Sequence, residues 1–135
     1  MVVYKSKEAM REIVNPDDFL FDAESGQYYS RDPSLLAGLG VSYNRAFEAF
    51  LGNGAALFGM REEMDAMSWG KKFPMIRRCF EGPPDIPLEQ VGVLGAETEA
   101  MLQLPISGRW LKHGVQSLNT AVAEALKQQN PIMFY

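Results

Sequence analysis

A chain of 135 residues with a net charge of −4, 47% hydrophobic and 22% charged, has the size and balance of a folded domain, not of a disordered segment. The acidic balance argues against a dedicated nucleic-acid binder, and a single cysteine, Cys79, excludes an intrachain disulfide. No apolar run approaches the ~20 residues that span a bilayer, and the opening MVVYKSKEAMREIV lacks a secretory signal's apolar centre, so a cytoplasmic location is expected.

In chain order, Val2–Tyr4 reads as a short strand, and Ser6 is placed to cap a helix running to about Val14. Asn15-Pro16 closes that helix, because a proline disfavours helix in the residue before it. Residues 19–22 and 28–31 flank Ala23-Glu24-Ser25-Gly26-Gln27, a hairpin pattern with Gly26 at a position of positive φ. Asp32-Pro33 joins a capping residue to a first-turn proline and starts a short helix, which Gly38 and Gly40 break.

Residues 41–67 carry the most regular pattern. Tyr43, Ala46, Phe47, Phe50 and Leu51 follow helical spacing, and so do Leu57, Met60, Met64 and Met67 after Gly52-Asn53-Gly54. Two helices joined by a glycine turn predict a central αα-hairpin. Beyond it, residues 71–80 read as an edge strand because of Pro74, and residues 81–87, with three prolines, as an extended connector. Residues 90–94 suggest a short strand, 96–102 a turn or two of helix, and 104–108 a strand end and turn. Val115, Leu118, Ala121, Val122, Ala125 and Leu126 predict a helix ending near Asn130-Pro131, after which the apolar tail Ile132-Met133-Phe134-Tyr135 is expected to dock. Together these predict one helix-dominated α+β domain over residues 1–135, with the αα-hairpin at its centre and a small antiparallel sheet.

Few residues suggest chemistry. His113 stands alone between Lys112 and Gly114, without a metal-ligand spacing, and reads as an exposed loop residue. Cys79 beside Phe80 reads as a buried structural thiol rather than a nucleophile. Asp17, Asp18, Asp22 and Glu24 lack the ligand positions and central glycine of a calcium loop, and Glu97 with Glu99 suits an acidic helix start. No phosphate-loop or dinucleotide motif is present. Met60, Met64, Met67 and Met75 are expected to fill the core, the other reading being an adaptable binding surface. No metal site and no cofactor are expected.

The stretch from Trp69 to Phe80 stands out, with Lys71, Lys72, Arg77 and Arg78 interleaved with Trp69, Phe73 and Phe80. Cations beside aromatic faces suit a hot-spot patch for an acidic protein partner or a stacking platform for single-stranded nucleic acid. The alternative is that the aromatics enter the core while the charges stay on the surface. Charge asymmetry supports steering: residues 1–69 hold six basic and eleven acidic side chains, residues 70–135 seven and six.

In the last third, Val93-Leu94-Gly95-Ala96-Glu97-Thr98-Glu99, Leu104-Pro105-Ile106-Ser107-Gly108 and the run Gln116-Ser117-Leu118-Asn119-Thr120-Ala121-Val122-Ala123 resemble the SpoU-type RNA 2′-O-methyltransferases. The resemblance covers under a third of the chain. It implies a parallel, knotted sheet and S-adenosylmethionine held around these segments, with Asn44-Arg45-Ala46 nearest to the family's catalytic arginine motif. The residues themselves favour a non-enzymatic protein-binding module of adaptor, chaperone-like, inhibitor or immunity type, contacting its partner through Trp69, Lys71, Lys72, Phe73, Arg77 and Arg78. Self-association is compatible with it and a membrane partner is not expected. The alternative is an RNA-binding protein or reduced SpoU-like methyltransferase.

Overall fold

The computed structural model describes residues 1–82 and 85–135. Val2 and Val3 are β-branched and fully buried, so their backbone groups need partners inside the protein. Strand β1 (Val2–Tyr4) finds them in β4 (Arg45–Glu48), antiparallel, with Val2 opposite Glu48 and Val3 opposite Phe47. A second antiparallel pair, β2 (Leu20–Asp22) and β3 (Gln27–Tyr29), sets Phe21 against Tyr28. Gly26 closes its turn at φ +73, as the hairpin pattern predicts.

Ser6 accepts a hydrogen bond from the Ala9 amide and starts α1 (Lys7–Met10), shorter than the sequence suggests. Asn15 caps a 3-10 turn at Pro16–Asp18, and Asp32 caps α2 (Pro33–Leu36). The helical mass follows in α3 (Gly54–Ala66), α4 (Trp69–Lys72), α5 (Pro74–Cys79), α6 (Leu88–Leu102) and α7 (Arg109–Gln128). The fold is α+β and dominated by helix, with two small antiparallel sheets.

An αα-hairpin is present, but not where periodicity places it. Residues 41–51 hold no helix. Their β4 segment is taken as the strand partner of β1, and Phe50, read as a core position, is 77% exposed. The paired helices are instead α6 and α7. Gly95 lies against Val122 and Thr98 against Asn119, so the contacts run in opposite directions along the two helices. A Cβ on Gly95 would stand 2.8 Å from Val122 Cγ1, so the close approach requires glycine there.

Further expectations are corrected. Residues 71–80 are helical rather than an edge strand, because Pro74 occupies the first turn of α5, where its missing N–H costs nothing. Residues 90–94 belong to α6, and 104–108 form the connection to α7, which begins at Arg109 rather than Val115. Of the connector at 81–87, Pro83 and Pro84 lie outside the described residues, and Ile86 makes a β-bridge with Ile132.

One apolar cluster joins α3, α5, α6, α7 and β1, with Met60, Met64, Ile76, Leu94, Met101, Leu118 and Ile132 among its members. The tail docks as expected: the Met133 amide donates to the Val2 carbonyl at 2.9 Å, and the Val2 amide returns a bond at 2.8 Å. Among the described residues no helix is long and apolar enough to cross a membrane.

Candidate functional site

The basic–aromatic stretch folds as two short helices, and its two residue types separate. Trp69 and Phe73 keep 8% and 3% of their surface, and Phe80 is buried with them in the central cluster. The aromatic half of the expected contact surface is therefore core, because amphipathic turns against α3 and α6 bury Trp69, Phe73, Ile76 and Phe80, with Met75 partly buried beside them. What remains outside is charge: Lys71, Lys72 and Arg78 are exposed.

Arg77 is only partly exposed and is engaged. Its Nε and Nη2 donate to the two Asp65 carboxylate oxygens at 2.8 and 2.9 Å, a bidentate fork across α3 and α5, while Nη1 pairs with Glu81. This guanidinium holds the Asp65 carboxyl below its ordinary pKa, and the carboxylate holds Arg77 above its own. Gly70 makes room for the fork, since a Cβ there would stand 2.7 Å from both Arg77 Cδ and Asp65 Oδ1. Asp65, Ser68, Gly70, Lys71 and Arg77 border an open recess of about 450 Å³. Nothing in the sequence announces the Asp65–Arg77 pair, which joins residues twelve apart on separate helices.

Glu97 fixes the platform from beneath. No side chain of its own segment caps α5, and the Glu97 carboxylate does so instead, accepting from the Met75 amide at 2.9 Å and the Ile76 amide at 3.1 Å. Burial raises the Glu97 pKa above its ordinary value against the pull of those two bonds. Glu97 and Glu99 thus lie inside α6 and not at an acidic helix start, and Glu97 takes the capping role on α5.

The remaining chemistry-bearing residues are apart from one another. Cys79 is buried, and burial, with Glu97 adding and Arg78 opposing, pushes its thiol up to about 12. His113 is exposed on α7, not in a loop. Asp22 accepts from the Glu24 amide and the Ser25 hydroxyl, and Asp17 pairs with Lys7, so the acidic cluster serves turns and a surface ion pair. Among the described residues no three His, Cys, Asp or Glu side chains are grouped to hold a metal.

The segments behind the methyltransferase resemblance lie in α6, the following connection and α7, and the described strands pair only antiparallel, unlike the parallel sheet that the resemblance implies. Asn119 accepts the Thr98 hydroxyl at 2.8 Å, and Arg45 pairs with Glu48 on β4. No family model matches the chain, and no curated protein or solved structure is significantly similar to it.

Proposed function

We propose that this protein is a non-enzymatic binding module that takes an acidic protein partner on the α4–α5 platform. The observation that carries the reading is the separation of the basic–aromatic stretch. Trp69, Phe73 and Phe80 anchor two short helices in the core, and Lys71, Lys72 and Arg78 are left in solvent with no carboxylate partner among the described residues. Cations on anchored helices are pre-positioned, which lowers the ordering cost of binding and speeds capture of an oppositely charged surface. In this reading Arg77 organises the recess, and the other three cations make the contact.

A protein partner is favoured over nucleic acid on the same surface. Single-strand recognition relies on bases stacking on exposed aromatics, and the aromatics of this stretch are buried.

The test is affinity capture from the source organism's lysate with the wild-type chain and the triple variant Lys71→Glu, Lys72→Glu, Arg78→Glu, with and without nuclease. The expected result is a stoichiometric protein that survives nuclease, weakens with salt and is lost from the triple variant. Equal retention by both chains would remove the platform from consideration. Recovery of RNA, with all protein lost on nuclease treatment, would replace the acidic protein with nucleic acid.

A further inference from the structure

A second surface lies outside that platform. A groove of about 430 Å³ runs between α3 and the start of α7, floored by Ala55, Ala56 and Gly59 and walled by Trp110. Trp110 is 63% exposed, with the Arg109 guanidinium 5.2 Å from its ring centre, and Phe58 beside Gly59 is also largely exposed. Tryptophan and arginine are the residue types that most often dominate binding at interfaces.

Gly59 is the telling residue of the groove. A glycine inside a helix is destabilising relative to alanine, so its presence calls for a reason. Gly95 and Gly114 have one within the chain, because a Cβ would stand 2.8 Å from Val122 Cγ1 or 2.9 Å from Met60 Sδ. A Cβ on Gly59 would meet nothing within 4 Å. Gly92 of α6 is equally open, but its helix carries no aromatic. At Gly59 alone, an open helical glycine and a protruding tryptophan share one groove.

We infer that the occupant of this groove is a second copy of the chain, in a two-fold contact where Trp110 of each copy enters the groove of the other. A two-fold interface needs one patch complementary to itself. This patch holds both the protruding ring and the small-residue floor. Its charges match in the same way: the groove takes Glu63 from α3, whose carboxylate accepts the Gly108 amide at 2.8 Å, and the exposed Arg109 from α7, neither paired with an opposite charge among the described residues. A two-fold rotation sets the acidic side of one copy against the basic side of the other. The inference does not rest on the acidic-partner reading and uses none of its cations.

Sedimentation equilibrium of the full chain, taken to about 0.5 mM so that weak association is still populated, tests it. The wild type is expected at twice the mass of one chain, and its tryptophan emission should shift to the red on dilution as Trp110 returns to water. Gly59→Leu, which fills open space in the single chain, and Trp110→Ala, at an exposed site, should both sediment as monomers with unchanged circular dichroism. Arg109→Glu gives a third variant at an exposed position of the groove and should weaken the dimer most at low salt. A wild type of single-chain mass at every concentration would overturn the inference, as would a dimer that persists in all three variants. Either outcome leaves capture through Lys71, Lys72 and Arg78 unaffected, so the two readings fail separately.

Discussion

At the scale of single residues, Glu97 carries two opposed effects that mutation can separate. Its carboxylate closes the amino end of α5, yet burial disfavours its charge and raises its pKa above the ordinary 4.5. The folded state therefore binds more protons than the unfolded state between 4.5 and the raised value. This contribution to stability is complete below pH 4.5 and is lost as pH rises through the folded pKa. Glu97→Gln keeps an acceptor for the two amides and removes the titration, so urea midpoints against pH should lose that part of their slope. Glu97→Ala leaves both amides without an acceptor and should cost about 1–2 kcal/mol at neutral pH. A glutamine variant as unstable as the alanine variant would show that the charge, not the cap, matters. Cys79 gives a simpler test. With its thiol held up to about 12, it should resist iodoacetamide at pH 8 in the native protein and react once urea unfolds the chain.

At the scale of elements, two glycines three residues apart on α6 should respond in opposite directions. Gly92→Ala adds a methyl into open space and gains helix propensity, which should stabilise by about 0.5–1 kcal/mol. Gly95→Ala pushes against Val122 at the α6–α7 contact and should destabilise by about 1–3 kcal/mol, read as a lower urea midpoint at unchanged slope. Equal effects at the two sites would mean that the helices separate easily. Neither role is visible in the sequence, where both glycines fall in a stretch read partly as strand. Local signals were readable where one residue decides the backbone: Ser6 and Asp32 as caps, and Gly26 at its turn. Signals that depend on a distant partner were not. Phe47 has helical spacing with Tyr43 and Phe50, but β1 is a segment over forty residues earlier whose buried amides need a strand there. Pro74 is compatible with an edge strand or a helix start, and Glu97, which accepts from the next two amides although it lies 21 to 22 residues beyond them, decides between the two. The basic–aromatic stretch was readable as the most unusual composition in the chain. Which of its residues face solvent was not, because that depends on where α3 and α6 pack.

At the scale of the whole molecule, the first and last strand-like segments meet, and that closure sets how the chain should fail. Val2 exchanges hydrogen bonds with Met133 on one side and lies opposite Glu48 on the other, while Ile132 bridges to Ile86 through both of its backbone groups. Around them, the Asn130 side chain donates to the Tyr4 carbonyl, and the Tyr135 hydroxyl donates to Glu48 on β4. The apolar tail thus stands between β1 and the segment entering α6, with Ile132 fully buried in the common cluster. Replacing Ile132 by Ala removes buried surface that the backbone pairs on both sides cannot easily collapse to fill, and should cost about 2–5 kcal/mol. Leu126 is similar in size but half exposed on α7, and Leu126→Ala should cost under about 1 kcal/mol. Hydrogen exchange locates the damage. In Ile132→Ala the amides of Val2 and Ile86, which bond to the tail's carbonyls, should lose protection before those of α7. Loss of protection at all sites together would mean instead that the tail belongs to one cooperative unit with the paired helices. A cost no larger than that of Leu126→Ala would mean that the tail rests on the core without holding it, and that β1 is kept in place by β4 alone.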